Sequence, residues 1–177
     1  MIFRKLRADE IDCRVGQVGN GYFTILLYKD ARCDMNILDE SGVIWQRDHK
    51  EIKGNLYCGV GIFDERVGQF IWKWDCGTES NTEKEKGEAS DSFKRACVNW
   101  GIGRELYTSP LIYVKTETAY ANDKYFVKDK KETYGNKVKE ITYNEKGEIA
   151  TLVIVDSKGV EIFSKKPMFL NKPKTMY

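Results

Sequence analysis

Proline is missing from the first 109 residues of this 177-residue chain and occurs only three times after them. Nothing in that stretch removes a ladder hydrogen bond or kinks a helix, so uninterrupted elements are expected there. Histidine is nearly absent too. The single copy, His49 in QRDHKEI, has no recognisable nucleophile partner in the sequence, which argues against histidine-based catalysis. The five cysteines (Cys13, Cys33, Cys58, Cys76 and Cys97) lie far apart with no CxxC pair, a spacing that supplies no zinc site. An odd, scattered set reads as reduced, mostly buried thiols of a cytosolic protein.

Other absences narrow the function further. No apolar run approaches the roughly 20 residues a membrane helix needs. The N-terminal MIFRKLRADE lacks the apolar core of a secretory signal. A cytoplasmic protein with no membrane partner is expected. There is no GxxxxGK[ST] phosphate loop and no DxD or paired-carboxylate pattern, so neither nucleotide hydrolysis nor a metal-dependent nuclease has a visible seat. No enzyme, no metal and no cofactor is the expectation. A dominant charge is missing as well: residues 1–109 carry 16 basic and 18 acidic side chains, net −2, and residues 110–177 carry 13 and 9, net +4. A nucleic-acid surface would have to gather its cations on one side of the fold.

What is present centres on Glu83 to Tyr107, EKEKGEASDSFKRACVNWGIGRELY. Ala89, Phe93, Ala96, Cys97 and Trp100 recur at steps of three and four, drawing one apolar stripe down a helix. Asn81 or Thr82 can cap its start, Glu83 and Glu85 suit its positive end, and Gly101 and Gly103 close it. Off the stripe lie Lys84, Lys86, Lys94 and Arg95, with Arg104 just past the end. These cations admit two readings. They are exposed partners of Asp91 and nearby acids, or they line a groove with Arg32 from the preceding helix and take up phosphates.

Upstream, Leu6 to Val18 carries Leu6, Ile11 and Val15 among charges, a pattern that predicts a short amphipathic helix. Tyr22 to Tyr28 reads as a strand. Asp30 caps a second helix in which Ala31, Met35 and Leu38 share a face, and Ser41-Gly42 stops it. Three strands follow: Val43 to Lys53, Leu56 to Phe63 and Gln69 to Cys76, joined by short turns at Gly54-Asn55 and Asp64 to Gly68, an antiparallel meander. Gly59 and Gly61 inside the second strand mark a bulge or a close backbone approach. Trp72 and Trp74 alternate onto one sheet face, and with Trp100 on the helix stripe they read as packed core rather than a base-stacking platform.

Past Pro110, residues 111–135 read as a polar, Tyr- and Lys-rich loop or linker. Within residues 136–177, Val138 to Tyr143, Ile149 to Val155 and Val160 to Phe163 alternate around NEKGE and DSKG turns, a small second meander, and SKKPMFLNKPKTMY forms a basic tail.

Three stretches carry a family resemblance: YKDARCDMNILDESGVIW, then NLYCGVGIFD with FIWKWDCGTES, and above all TEKEKGEASDSFKRACVNWGIGRELY. The chain resembles the phage branch of the single-strand annealing proteins related to Rad52, over roughly residues 5 to 110. The resemblance implies an α+β fold with a β-β-β-α core, here preceded by two short helices and followed by the small C-terminal β-meander. It also implies a ring or helical homo-oligomer. Residues 1–110 would form the annealing domain. By motif position Arg32, Lys94 and Arg95 correspond to basic residues of the family's DNA groove, and Lys84 and Lys86 to further basic residues of the same helix. Gly87 stands where eukaryotic relatives have a lysine. Arg104 joins the candidate DNA-binding set by proximity alone.

The implied function is ATP-independent binding and annealing of single-stranded DNA in recombination and repair, in a bacterial host's cytoplasm, with a single-strand binding protein as a further partner. The alternative is a repair adaptor that recruits such a protein or a host factor through the C-terminal meander and anneals nothing. A small nuclease is a third reading, which would show as magnesium-dependent cleavage.

Overall fold

The computed structural model describes residues 2–77 and 84–166, with the backbone alone for residues 84–86. The candidate caps Asn81 and Thr82, and the tail from residue 167 onward, lie outside the described residues. In chain order the regular elements are β1 (Asp12–Gly19), β2 (Tyr22–Tyr28), α1 (Ala31–Glu40), β3 (Trp45–Ile52), β4 (Asn55–Asp64), β5 (Gln69–Cys76) and α2 (Lys84–Asn99). There follow β6 (Ile112–Lys115), β7 (Thr118–Ala121), β8 (Lys124–Val127), β9 (Lys137–Tyr143), β10 (Ile149–Val155) and β11 (Glu161–Lys165). The fold is α+β, its paired strands mostly antiparallel, with two α-helices among the described residues.

The chain divides into two compact units. The first combines Met1–Asp12 with Leu27–Thr108; the second combines Cys13–Leu26 with Ser109–Tyr177.

In the first unit β3, β4 and β5 form a three-stranded antiparallel sheet. The β3–β4 turn has Lys53 at φ 53° and Gly54 at φ 76°, two consecutive left-handed residues, the pair that a two-residue hairpin turn of right-handed twist requires. Pairing of Trp45 with Ile62 and of Val60 with Lys73 places Trp45, Arg47, Val60, Ile62, Ile71 and Lys73 on one face. Helix α2 covers that face. Its Phe93, Ala96 and Cys97 are buried, as are Cys58, Val60 and Ile62 beneath them, and the rings of Trp45 and Phe93 lie 6.1 Å apart.

The opposite face carries Tyr57, Phe63, Phe70, Trp72 and Trp74. The two indoles stack at 5.6 Å, half-buried, over Gly59 and Gly61. They are thus a layer on the side away from α2 rather than part of the helix-covered core.

Helix α1 starts where the Asp30 carboxylate accepts the amides of Arg32 and Cys33. It buries Cys33, Asp34, Ile37 and Leu38, a stripe rotated from the expected Ala31, Met35 and Leu38 face. The rotation follows from Asp34, whose inward carboxylate has a buried cation to meet. A buried Glu105 carboxylate accepts the Leu6 amide at 2.8 Å and pins the N-terminal segment.

The second unit holds a six-stranded sheet in the order β11-β10-β9-β1-β2-β6. Phe23, Ile25, Ile112, Val114, Val138, Leu152 and Ile154 are among its buried apolar side chains.

Three sequence expectations need correction here. Leu6 to Val18 is not a helix: Ala8–Glu10 is a single 3-10 turn and β1 follows it, so one α-helix rather than two precedes β3. Val15, Gly16, Val18 and Gly19 are poor helix formers, and the distant strand β9 offers a ladder that local spacing does not reveal. Residues 111–135 are not a structureless loop but β6, the β7–β8 hairpin and a 3-10 turn at Lys130–Thr133. The C-terminal strands are not a small separate meander. They form half of the six-stranded sheet, because β9 pairs with β1 and leaves no edge there.

Candidate nucleic-acid interface

The candidate cations fall on two helices and the turn after them. Arg32 sits in the first turn of α1 with its side chain 86% exposed, its Nε 3.2 Å from Asp30. Helical spacing turns it away from Asp34, two residues on and fully buried. Against the pull of burial, which would raise it, the amides of Arg32 and Cys33 hold the Asp30 carboxyl below its ordinary value.

Lys94 and Arg95 are consecutive on α2. Lys94 is 23% exposed and stands 4.0 Å from Asp91, one turn earlier. Arg95 is 46% exposed and pairs with Asp75 of β5 at 3.3 Å. Exposed or half-exposed pairs of this kind contribute about 0–1 kcal/mol each, so a phosphate can displace the acid at little cost. None of the three is locked inside the unit.

Arg104 is employed differently. Its guanidinium donates to the Val98 carbonyl at 3.2 and 2.9 Å and to the Asn99 carbonyl at 3.1 Å, the free end of α2. It caps the helix where the macrodipole is negative. The side chains of Lys84 and Lys86 lie outside the described residues.

The structure brings Arg32 and Lys94 into register through a third residue. Lys29, just before α1, donates to both Asp34 oxygens and, at 3.5 Å, to the Lys94 carbonyl. The turn of α1 that bears Arg32 is thereby joined to the turn of α2 that bears Lys94.

Two further cations lie against α2 and its C-terminal end without a signal strong enough to single them out in the sequence. The Arg47 guanidinium lies over the Phe93 ring at 5.4 Å, beside the residue that precedes Lys94. The Lys73 ammonium lies over the Trp100 ring at 4.4 Å and donates to the Asn99 carbonyl. Alternation from Trp45 to Arg47 along β3 is the available signal for the first; Lys73 has none short of knowing where α2 ends.

Cys33, Cys58 and Cys97 are buried, and Cys13 and Cys76 are partly exposed. None of the five is in a disulfide, and burial pushes Cys33 up to about 12 and Cys58 up to about 11, with Cys97 raised by the same cause. Among the described residues no group of three or more His, Cys, Asp or Glu side chains is placed to hold a metal. Among them, too, no helix is long and apolar enough to cross a membrane.

Residues 49–125 match the family described as Rad52/22 family double-strand break repair protein. Over that segment the chain is similar to Rad52-type proteins. The Rad52/22 match begins at His49 in β3 and ends at Tyr125 in β8, so it contains α2 with Lys94 and Arg95, and Arg104 beyond its end. Arg32, Lys29 and Arg47 precede it. No curated protein and no solved structure matches the chain.

Proposed function

We propose that this protein binds single-stranded DNA through its phosphates and anneals complementary strands without ATP, in the manner of a phage recombination protein. The observation that carries this reading is the placement of exposed Arg32 and Arg95 and partly exposed Lys94 on two helices tied together at Lys94, each cation paired with a nearby carboxylate that is not fully buried.

The chemistry asks for no catalytic group. Pairing complementary strands is downhill by about 1.4 kcal/mol per base-pair step. What opposes it is repulsion between strands and structure within each of them. A cationic surface that grips sugar and phosphate neutralises the first and straightens the second, while the bases stay free to pair. One subunit offers few phosphate contacts, so useful affinity comes from many copies sharing one strand. A ring or helical homo-oligomer is therefore part of the proposal.

The test is oligonucleotide affinity measured against salt. Lys94→Ala/Arg95→Ala should weaken binding evenly across sequences and flatten the salt dependence by about 0.7 in log–log slope for each phosphate that is no longer neutralised. An unchanged slope removes these residues from the surface. A fluorescence annealing assay separates the proposal from a recruiting adaptor, which would leave complementary strands apart.

A further inference from the structure

We propose that the buried Lys29–Asp34 pair is a positioning device that fixes the distance between Arg32 and Lys94, and so the spacing at which the surface takes up phosphates. The inference rests on the binding reading above.

The local sequence sorts its charges by face. In Lys29-Asp30-Ala31-Arg32-Cys33-Asp34, Asp30 caps the helix, Arg32 points to solvent, and Lys29 and Asp34 turn inward, 6% and 0% exposed at their side chains. Both oxygens of Asp34 are engaged by one ammonium, which also reaches the Lys94 carbonyl. Three oxygens from two helices thus meet at one nitrogen.

The loop beyond α2 closes the remaining side. Gly103 has φ 71°, and a Cβ there would collide with the Lys29 Cε. Only glycine satisfies both the left-handed backbone and the contact. The outer stem of Lys29 therefore packs against Gly103.

Stability alone does not explain such a pair. Replacing a buried ion pair by apolar side chains of similar volume is often neutral or stabilising, because desolvation offsets the attraction. Asp34 is fully buried, and that burial pushes its carboxyl up to about 6 despite the lysine beside it. An apolar contact between the helices would hold them together but let them slide. A cation bonded to two carboxylate oxygens and a backbone carbonyl permits one register.

The experiment compares the wild-type protein with Lys29→Met/Asp34→Leu, Arg32→Ala and Lys94→Ala/Arg95→Ala. Folding is read by thermal melting, and oligonucleotide affinity is read across a salt series. The Lys29→Met/Asp34→Leu variant should melt at or above the wild-type temperature yet lose salt slope as Arg32→Ala does. Adding Arg32→Ala to it should cost less than Arg32→Ala costs alone, the sign of coupled residues. Should the double substitution fail to fold, Asp34→Asn keeps the shape and should lower the slope in the same direction. A folded variant with wild-type slope and additive effects overturns the positioning role. If instead Arg32→Ala and Lys94→Ala/Arg95→Ala leave the slope untouched, the binding reading fails and takes the positioning role with it.

Discussion

The Trp74 indole rests against Gly59 on the neighbouring strand, so closely that a Cβ at position 59 would meet the ring at 2.5 Å. Trp72 sits over Gly61 in the same way, at 2.9 Å. The two glycines in GVG admit two rings, which is why the strand pairing of Gly59 with Trp74 and Gly61 with Trp72 matters.

A methyl group at that point has nowhere to go without moving an indole. Gly59→Ala should destabilise the protein by about 1–3 kcal/mol, the usual cost of overpacking. Urea unfolding followed by tryptophan fluorescence checks it. A midpoint equal to wild type would mean the ring swings aside freely.

Asp75 competes with any phosphate for Arg95, and it also accepts from the Asn99 amide at 3.1 Å. Asp75→Asn keeps the shape and removes the competing charge. Affinity for single-stranded DNA should rise by roughly 1.4- to fivefold, matching the 0.2–1 kcal/mol of a solvent-accessible pair. Weaker binding by the variant would show that Asp75 orients Arg95 instead of restraining it.

Arg104 stands close to the candidate cations in sequence, but its bonds to Val98 and Asn99 make it a helix cap. Arg104→Ala should lower stability by about 0.3–1 kcal/mol and leave the salt slope of DNA binding where it was. A flattened slope with unchanged melting would return it to the binding surface.

Acid should loosen the N-terminal segment. Arg4 donates to both oxygens of Glu10, at 2.8 and 2.7 Å, and its hydrogen bonds hold the Glu10 carboxyl below the ordinary value of 4.5. A carboxyl lowered in the folded state binds its proton more readily when unfolded. Its stabilising contribution is therefore present above 4.5 and is lost as pH falls through the folded value. Arg4→Ala should flatten the fall in stability below pH 4.5. Parallel acid limbs for the two proteins, by denaturant titration at several pH values, would refute this account.

Much of the first unit can be read from the residues alone. Asn55 to Asp64 and Gln69 to Cys76 alternate in type, and the turns joining β3, β4 and β5 are too short for anything but antiparallel neighbours. Phe93, Ala96 and Cys97 announce the buried face of α2 by spacing, because a helix packing on a sheet needs only one stripe. The candidates Arg32, Lys94 and Arg95 are legible from the family resemblance, and their exposure follows from lying off those stripes.

Tertiary structure decided the rest, wherever a partner distant in sequence supplied the bond. Leu6, Ile11 and Val15 suggest a helix, yet Asp12–Gly19 is a strand because β2 and β9 flank it in the sheet. Lys29 looks like any surface lysine until Asp34, Gly103 and the Lys94 carbonyl enclose it. Arg104 looks like a groove residue until α2 ends beneath it. Local periodicity reports which face of an element seeks burial; it carries no information about which remote group will meet that face. Only the folded chain supplies that.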